Sequence, residues 1–297
     1  MSAATPGADL PNILDATQVE TVPDARGRYR ANLSTAWDAP VHPSGGLVSA
    51  LALRAMQAEL DHPRQRLRTF STLFVSTVTS GPLEIAVERL RDGKRMSQLR
   101  AEVRNPGRPE VGHVTSAAFG ESRPGVAFSY SAAPEVGPPG DYPLPADPPP
   151  GAPVFRARFF ENLETRRVRL FHSFEKDWEG GRAEAIRWVR YRVPPRLEDG
   201  RLDPLSLIAV ADTMPSAVAQ YLGPGAAFFH APSVDLNMHF FADTDQDWLL
   251  ARTVGHWAGD GYASAEITLW DAARRPLAVA TQVMLLRFPD PSELGLA

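Results

Sequence analysis

The chain has 297 residues, of which 43% are hydrophobic, enough to fill one large core or two of ordinary size. Its formal net charge of −4 gives no basic field to attract nucleic acid, and the lack of cysteine excludes disulfides, a thiolate nucleophile and cysteine metal ligands. No apolar run approaches the roughly 20 residues of a membrane span, and residues 1–9 do not resemble a signal peptide. We therefore expect a cytoplasmic protein without a membrane span.

The pattern of the first half predicts a strand, an apolar helix and four further strands. The helix, residues 47–60, follows Ser44-Gly45-Gly46 and carries alanines that would let a sheet approach it closely. Breaks such as Asn105-Pro106-Gly107 between the later strands are typical of hairpins. The sequence thus predicts a helix wrapped by an antiparallel meander. The predicted strands are residues 28–37, 69–78, 83–91, 96–104 and 111–119.

The second half repeats this order after a segment rich in proline and glycine. That segment, residues 122–153, contains Pro148-Pro149-Pro150-Gly151 and predicts a connector with no core of its own. We expect an N-terminal domain at 12–121 and a C-terminal domain at 154–290. The predicted elements of the second half are a helix at 207–221 and strands at 155–170, 185–193, 233–241, 248–256, 264–270 and 277–287.

Two polar residues of the second half, Asp212 and Gln282, interrupt otherwise apolar elements, and a third candidate, Ser233, lies in a strand between them. Ser233 opens a strand in which Leu236 and Met238 alternate with polar residues, as expected when one face of a strand is buried. Because the first half is apolar at most of the matching positions, we expect a single polar site per chain. The aligned pairs are Asp212 with Leu47, Ser233 with Leu67, and Gln282 with Ser116.

Several short stretches carry a resemblance to a known family. They are Ser44-Gly45-Gly46-Leu47, the hairpin Leu90-Arg91-Asp92-Gly93, Ala211-Asp212, residues 233–240 and Thr281-Gln282. Between about residues 37 and 287 the chain resembles the type II acyl-CoA thioesterases, which are double hotdog proteins. The resemblance implies an α+β fold in which two antiparallel sheets each curl around a helix and join into one continuous sheet.

The resemblance also implies hydrolysis of acyl-CoA to the free acid and CoA. In the family an aspartate, a threonine or serine and a glutamine hold the hydrolytic water, and these roles carry over to Asp212, Ser233 and Gln282. Serine here replaces a common threonine, and Leu47 stands where glutamine is frequent. A thioester is already a reactive acyl donor, so a positioned water, a proton acceptor and oxyanion donors suffice without a metal or cofactor.

The helix N-terminus at Gly45 and Gly46 is a candidate for binding the oxyanion or the substrate, since its backbone N–H groups have no partner within the helix. Close packing of helix and sheet would explain the two glycines equally well. Asp212 has a structural alternative too, because Asp212-Thr213-Met214-Pro215 suits a helix start at Pro215.

Other candidate substrate contacts are less specific. A loosely basic hairpin would reach CoA phosphates, although a solvated hairpin explains these residues better; it contains Arg89, Arg91, Lys94 and Arg95. Apolar side chains near the polar site would line an acyl tunnel, although core packing explains most of them; they are Met214, Phe228, Phe229, Met238 and Phe240.

Two rival functions fit the same fold. A hotdog hydratase or dehydratase would need a histidine, and His42 or His239 would have to serve. A noncatalytic module would bind acyl-CoA or lipid without turnover. The histidines lack a metal-binding spacing, and no Gly-x-Ser-x-Gly elbow occurs. From the resemblance we also expect a homodimer or larger homo-oligomer, while the choice between CoA and a carrier protein as acyl carrier stays open.

Overall fold

A computed structural model describes residues 10–39, 42–149 and 157–288. Within these residues, twelve strands form one antiparallel sheet. The strands of the first half are β1 (Glu20–Thr21), β2 (Arg28–Leu33), β3 (Arg66–Phe74), β4 (Gly81–Arg91), β5 (Met96–Arg104) and β6 (His113–Gly120). Those of the second half are β7 (Leu163–Arg169), β8 (Glu184–Tyr191), β9 (Asp235–Phe240), β10 (Leu249–Gly259), β11 (Tyr262–Asp271) and β12 (Pro276–Leu285).

The strand order is the same in both halves when each is followed outward from the middle of the sheet. It runs β1-β2-β4-β5-β6-β3-β9-β12-β11-β10-β8-β7, so β3 and β9 pair at the centre. Ser71 lies opposite Asn237 in that central pair. The two halves thus form one continuous sheet, as predicted for a double hotdog.

The main helix of the first half is α2, Gly45–Glu59, and the sheet encloses it. Ala50, Ala52 and Ala55 are fully buried, because their small side chains let the strands approach the helix axis. The prediction of a helix enclosed by its sheet is confirmed here. No helix in the described part of the chain is both long and apolar enough to cross a bilayer.

The second half departs from the prediction of one helix at 207–221. It has two, α4 (Ser206–Ala211) and α5 (Pro215–Leu222), separated by Asp212, Thr213 and Met214. Proline lacks an N–H and its ring clashes with the carbonyl four residues earlier, so an α-helix cannot continue through Pro215 without a break. The break leaves Asp212 at the C-cap of α4.

Two predicted strands are also shorter than expected. The strand at 28–37 ends at Leu33 and gives way to a 3-10 turn, Thr35–Trp37, which turns the Trp37 ring into the core. Of the strand at 155–170, residues 155 and 156 lie outside the described residues, and a short helix α3 (Arg158–Glu161) precedes β7. The ring centroids of Phe159, in α3, and Trp37 lie 6.3 Å apart. The short helix thus buries the Phe159 ring in the core, where an extended strand was expected. The remaining short helix is α1 (Ile13–Ala16).

The segment between the halves packs on the outer face of the C-terminal half. Trp188 of β8 and Trp270 of β11 form a small apolar cluster there, against which Val136 packs. The indole of Trp188 donates to the Gly137 carbonyl at 3.1 Å, and that of Trp270 donates to the Ser131 carbonyl at 3.0 Å. The described part of this segment therefore has little regular structure but is anchored to the sheet.

Candidate active site

Asp212 faces the N-terminus of the helix from the other half. Its Oδ2 accepts a hydrogen bond from the Gly46 N–H at 2.8 Å and another from Ser44 Oγ at 3.2 Å. Ser44 is the N-cap residue of α2 but makes no capping bond of its own to that helix. Asp212 therefore satisfies an N–H that the helix cannot satisfy internally, and its negative charge lies at the positive end of the α2 dipole.

Glycine at position 46 allows this contact. A Cβ built there would lie 2.7 Å from the Ile208 carbonyl oxygen and 2.8 Å from Asp212 Cβ. Both of those atoms belong to or directly adjoin the backbone, so they cannot move aside cheaply. The absence of a side chain thus lets α2 and α4 approach until the Gly46 N–H reaches the carboxylate.

Ser233 and Gln282 complete the cluster on the other side of Asp212. The amide nitrogen of Gln282 donates to Asp212 Oδ1 at 2.7 Å and to Ser233 Oγ at 2.7 Å. Ser233 Oγ donates to Asp212 Oδ1 at 3.4 Å. Three residues spread over 70 positions of sequence therefore meet at one carboxylate, as the sequence predicts.

Gln282 lies on the inward face of β12 between apolar neighbours, and it is only 1% exposed. With the amide nitrogen committed to Asp212 and Ser233, the amide oxygen Oε1 is buried and has no hydrogen-bond partner among the described residues. A buried acceptor without a partner is uncommon and needs a physical explanation. Oε1 is therefore an available acceptor inside the cluster.

Burial is the main influence on the ionisation of Asp212. Loss of solvation raises the pKa of this carboxyl above its ordinary value of 3.8, and the hydrogen bonds from Gly46, Gln282, Ser44 and Ser233 oppose that rise. The donors thus compensate part of the cost of holding a carboxylate away from water. A carboxylate in this state is a stronger proton acceptor than one in solution.

The matching positions of the first half are apolar, and the strand register identifies them. Leu67 lies opposite Phe119 beside a bulge, as Ser233 lies opposite Met284. Gln282, two residues before Met284, thus corresponds to Ala117, two residues before Phe119. The predicted match of Gln282 to Ser116 is wrong by one residue, because Ser116 is exposed on the opposite face of its strand.

This correction makes the contrast between the halves sharper. The counterparts of the polar cluster are Leu47, Leu67 and Ala117, all of them buried. In the described residues the pseudo-symmetry-related position therefore has no polar group to hold a water.

Gly45 packs against the ring of Phe74. A Cβ at Gly45 would come within 2.5 Å of the Phe74 ring, so the packing explanation applies to this glycine as well. The Phe74 ring packs edge-on against His113, with 4.6 Å between centroids. The Gly46 N–H is occupied by Asp212, whereas no acceptor among the described residues bonds the Gly45 N–H. Of the two predicted oxyanion donors, Gly45 is thus the one that remains available.

The basic hairpin predicted as a weak candidate for CoA phosphates lies at the far end of α2. Arg89 contacts Glu59, the last residue of that helix, at 3.2 Å and pairs with Asp92 at 2.7 Å. With a rise of about 1.5 Å per residue, Glu59 lies roughly 20 Å along the helix from Gly46. Arg89 is therefore committed to a structural ion pair away from the polar cluster.

The predicted tunnel residues divide into two groups. Met214 and Met238 are completely buried in the main core. Phe228, Phe229 and Phe240 are only partly buried, and Phe229 packs against Phe288 with 5.8 Å between ring centroids. The partly buried phenylalanines keep surface that a ligand can contact, whereas the two methionines are explained by core packing.

Neither candidate histidine of the rival hydratase belongs to the cluster. His42 is exposed, and His239 is exposed on the outward face of β9, opposite to Leu236 and Met238. Among the residues that the structure describes, the groups that donate to Asp212 are Gly46, Ser44, Ser233 and Gln282. Within the described residues, no three His, Asp or Glu side chains are arranged to hold a metal ion.

Sequence reasoning missed the part played by Ser44. Its hydroxyl contacts Asp212 across the two halves, a contact over 168 positions that no local pattern indicates. The available signal was an N-cap type residue directly before a glycine pair.

Comparison with known families accounts for most of the chain. A model of the acyl-CoA thioesterase N-terminal domain matches residues 33–120, and a model of the acyl-CoA thioesterase C-terminal domain matches residues 139–286. A search of curated proteins finds no sequence match.

Solved structures share the fold over nearly the whole chain. A hot dog fold protein from Alicyclobacillus acidocaldarius has a TM-score of 0.77 at 22% identity, covering 94% of this chain and 98% of its own. An acyl-CoA thioesterase II, TesB2, from Mycobacterium marinum has a TM-score of 0.69 at 23% identity, covering 94% and 99%. A tesB protein from Mycobacterium avium subspecies paratuberculosis has a TM-score of 0.71 at 18% identity, covering 95% and 100%. These similarities confirm the double hotdog fold.

Proposed function

Since the chain belongs to the acyl-CoA thioesterase family, we propose that it hydrolyses acyl-CoA thioesters to the free acid and CoA, with Asp212, Ser233 and Gln282 holding the attacking water. The observation that carries this proposal is the convergence of a carboxylate, a hydroxyl and an amide within 2.7 to 3.4 Å of one another.

Asp212 is the proposed general base. Its raised pKa makes it a better proton acceptor, and its four donors fix the direction of the carboxylate. Water gives a proton to Asp212 as its oxygen forms a bond to the thioester carbonyl carbon. Collapse of the tetrahedral intermediate then breaks the carbon–sulfur bond, and the leaving sulfur takes the proton from Asp212, which returns to its carboxylate form.

Ser233 and Gln282 are proposed to orient the water. The unpartnered Oε1 of Gln282 supplies an acceptor for the water proton that Asp212 does not take. Neither residue needs to act as a nucleophile. The oxyanion that develops on the carbonyl is assigned to the Gly45 N–H at the positive end of α2.

The proposed function and its rivals are distinguished by their products. Thiol release from a panel of acyl-CoAs, run beside hydration of an enoyl-CoA, tests hydrolysis against hydratase activity. Release of CoA with stoichiometric free acid supports the proposal. Hydration without thiol release, or binding without either product, would refute it in favour of a hydratase or a noncatalytic module respectively.

A cytoplasmic location and assembly into a homodimer or larger homo-oligomer are parts of the same proposal. Light scattering on the purified protein measures the second of these directly. A monomer at assay concentration would refute it.

A further inference from the structure

A buried guanidinium lies beside Thr213, the residue after Asp212, without a carboxylate partner in the described part of the chain. Arg187, on the inward face of β8, is only 6% exposed. Its side chain donates one hydrogen bond, to Thr213 Oγ1, and makes no ion pair with any described residue. Burial lowers the pKa of Arg187 to about 10, which still leaves it charged near neutral pH.

Such a group is costly, because a buried charge normally has a counter-ion and a guanidinium has five N–H donors to satisfy. Replacing buried ionic groups with well-packed apolar side chains of similar volume is often neutral or stabilising in proteins. The contact that Arg187 does make therefore indicates why it is there.

That contact secures the break between α4 and α5. Thr213 Oγ1 accepts from Arg187 and donates to the Val210 carbonyl at 2.6 Å, one of the carbonyls that the end of α4 leaves unsatisfied. The positive charge of Arg187 also suits the C-terminal end of that helix. One hydroxyl thus joins the end of α4 to strand β8.

Thr213 directly follows Asp212, so whatever fixes Thr213 also fixes the backbone of the proposed base. We propose that Arg187 is a positioning residue that acts through Thr213 to hold the Asp212 carboxylate against Gly46, Ser233 and Gln282. This inference rests on the proposed function of Asp212. Arg187 itself need not touch the substrate.

The experiment compares Arg187→Met with a matched arginine on the same strand. Arg190 pairs with Glu164 at 2.6 Å and is more exposed, so Arg190→Met removes the same charge away from the break. We expect Arg187→Met to lower kcat by roughly tenfold or more, because small displacements of a catalytic group are costly, while KM changes much less. Arg190→Met should leave kcat unchanged.

Variants at Thr213 test the Arg187–Thr213 hydrogen bond without altering the buried charge. Thr213→Val should lower kcat as Arg187→Met does, Thr213→Ser should restore it, and the double variant should be no worse than the worse single one. Circular dichroism and thermal unfolding of each variant separate loss of position from loss of fold, since a purely structural role predicts a fall in folded fraction at an unchanged kcat per folded molecule.

Two results would overturn the inference. One is a folded Arg187→Met protein with wild-type kcat, and the other is a double variant whose losses simply multiply. If Asp212→Asn also keeps full turnover, the proposed function itself is wrong; if that variant is inactive while Arg187→Met is normal, only the positioning role is wrong.

Discussion

Replacing Asp212 with asparagine separates chemistry from architecture at this site. The substitution preserves shape and removes the proton acceptor. A positioned general base contributes roughly 100- to 10,000-fold to rate, so we expect kcat to fall by about a thousandfold. KM should change little, because the carboxylate acts on the water and not on the acyl chain.

The same change should leave the fold intact, for reasons visible in the hydrogen bonds. An asparagine oxygen at the Oδ2 position keeps the donors from Gly46 and Ser44. The new NH2 group then meets the Gln282 amide nitrogen, but rotating that amide presents Oε1, which has no partner in the wild type. Loss of a charge at a helix N-terminus costs about 0.3 to 1 kcal/mol, and relief of the buried charge offsets part of it. We expect a net change in unfolding free energy of no more than about 1 kcal/mol.

Turnover is best followed with a chromogenic thiol reagent. The chain contains no cysteine, so the signal reports released CoA without a background from the protein. Urea unfolding of the same preparation gives the stability. An Asp212→Asn protein that is folded and retains more than about a tenth of the wild-type kcat would refute the assignment of Asp212 as the base.

Four further predictions concern the same cluster. Ser233→Thr keeps the hydroxyl and should retain kcat within a few-fold, whereas Ser233→Ala should lose about tenfold in the thiol assay; equal rates would contradict the role of the hydroxyl. Gly46→Ala places a Cβ 2.7 Å from the Ile208 carbonyl oxygen. It should lower the free energy of unfolding in urea by about 1 to 3 kcal/mol and remove most of the activity. A variant with unchanged stability and activity would argue against the close approach of the helices. Because burial raises the pKa of Asp212 above 3.8, kcat/KM should fall as the pH drops through that higher value, and a limb at an ordinary carboxyl pKa would contradict the assignment. A raised carboxyl pKa means that ionisation disfavours the fold, so the stability of the wild type relative to Asp212→Asn should decline as the pH rises through the same range.

Periodicity located strands such as β5 because buried and more exposed residues alternate along them. The strand at 96–104 is observed as Met96–Arg104, bounded by a hairpin on one side and Asn105-Pro106-Gly107 on the other. The sequence indicated a helix start at Pro215 only as an alternative to one helix over 207–221, since a proline is compatible with either a kink or a new start. Ser116 was misaligned because the alignment assumed equal separations, whereas the chain from Leu67 to Ala117 is one residue longer than that from Ser233 to Gln282, which only the pairing of strands reveals.

Asp212 and Gln282 could be identified in advance because each lies in an otherwise apolar element, and Ser233 because the resemblance places a hydroxyl at the start of its strand. Their partners in the first half were not, since Ser44 and the Gly46 N–H contact Asp212 through packing of α2 on α4. Long-range packing of helices leaves no trace in local spacing. The missed contributions at this site are accordingly a hydroxyl and a backbone group from the other half.

The contact of Asp212 with Ser44 and Gly46 across the two halves makes this protein a natural subject for fragment complementation. A fragment with the second half alone would contain the carboxylate, hydroxyl and amide, yet it would lack the helix end that solvates the carboxylate. Separately produced fragments should therefore be catalytically inactive on their own and regain turnover when mixed. For the same reason, an active chimera of halves from distant relatives would need an N-terminus of α2 that fits the carboxylate of the other half. The evolution of the first half is thus coupled to that of the second half, which carries the polar cluster.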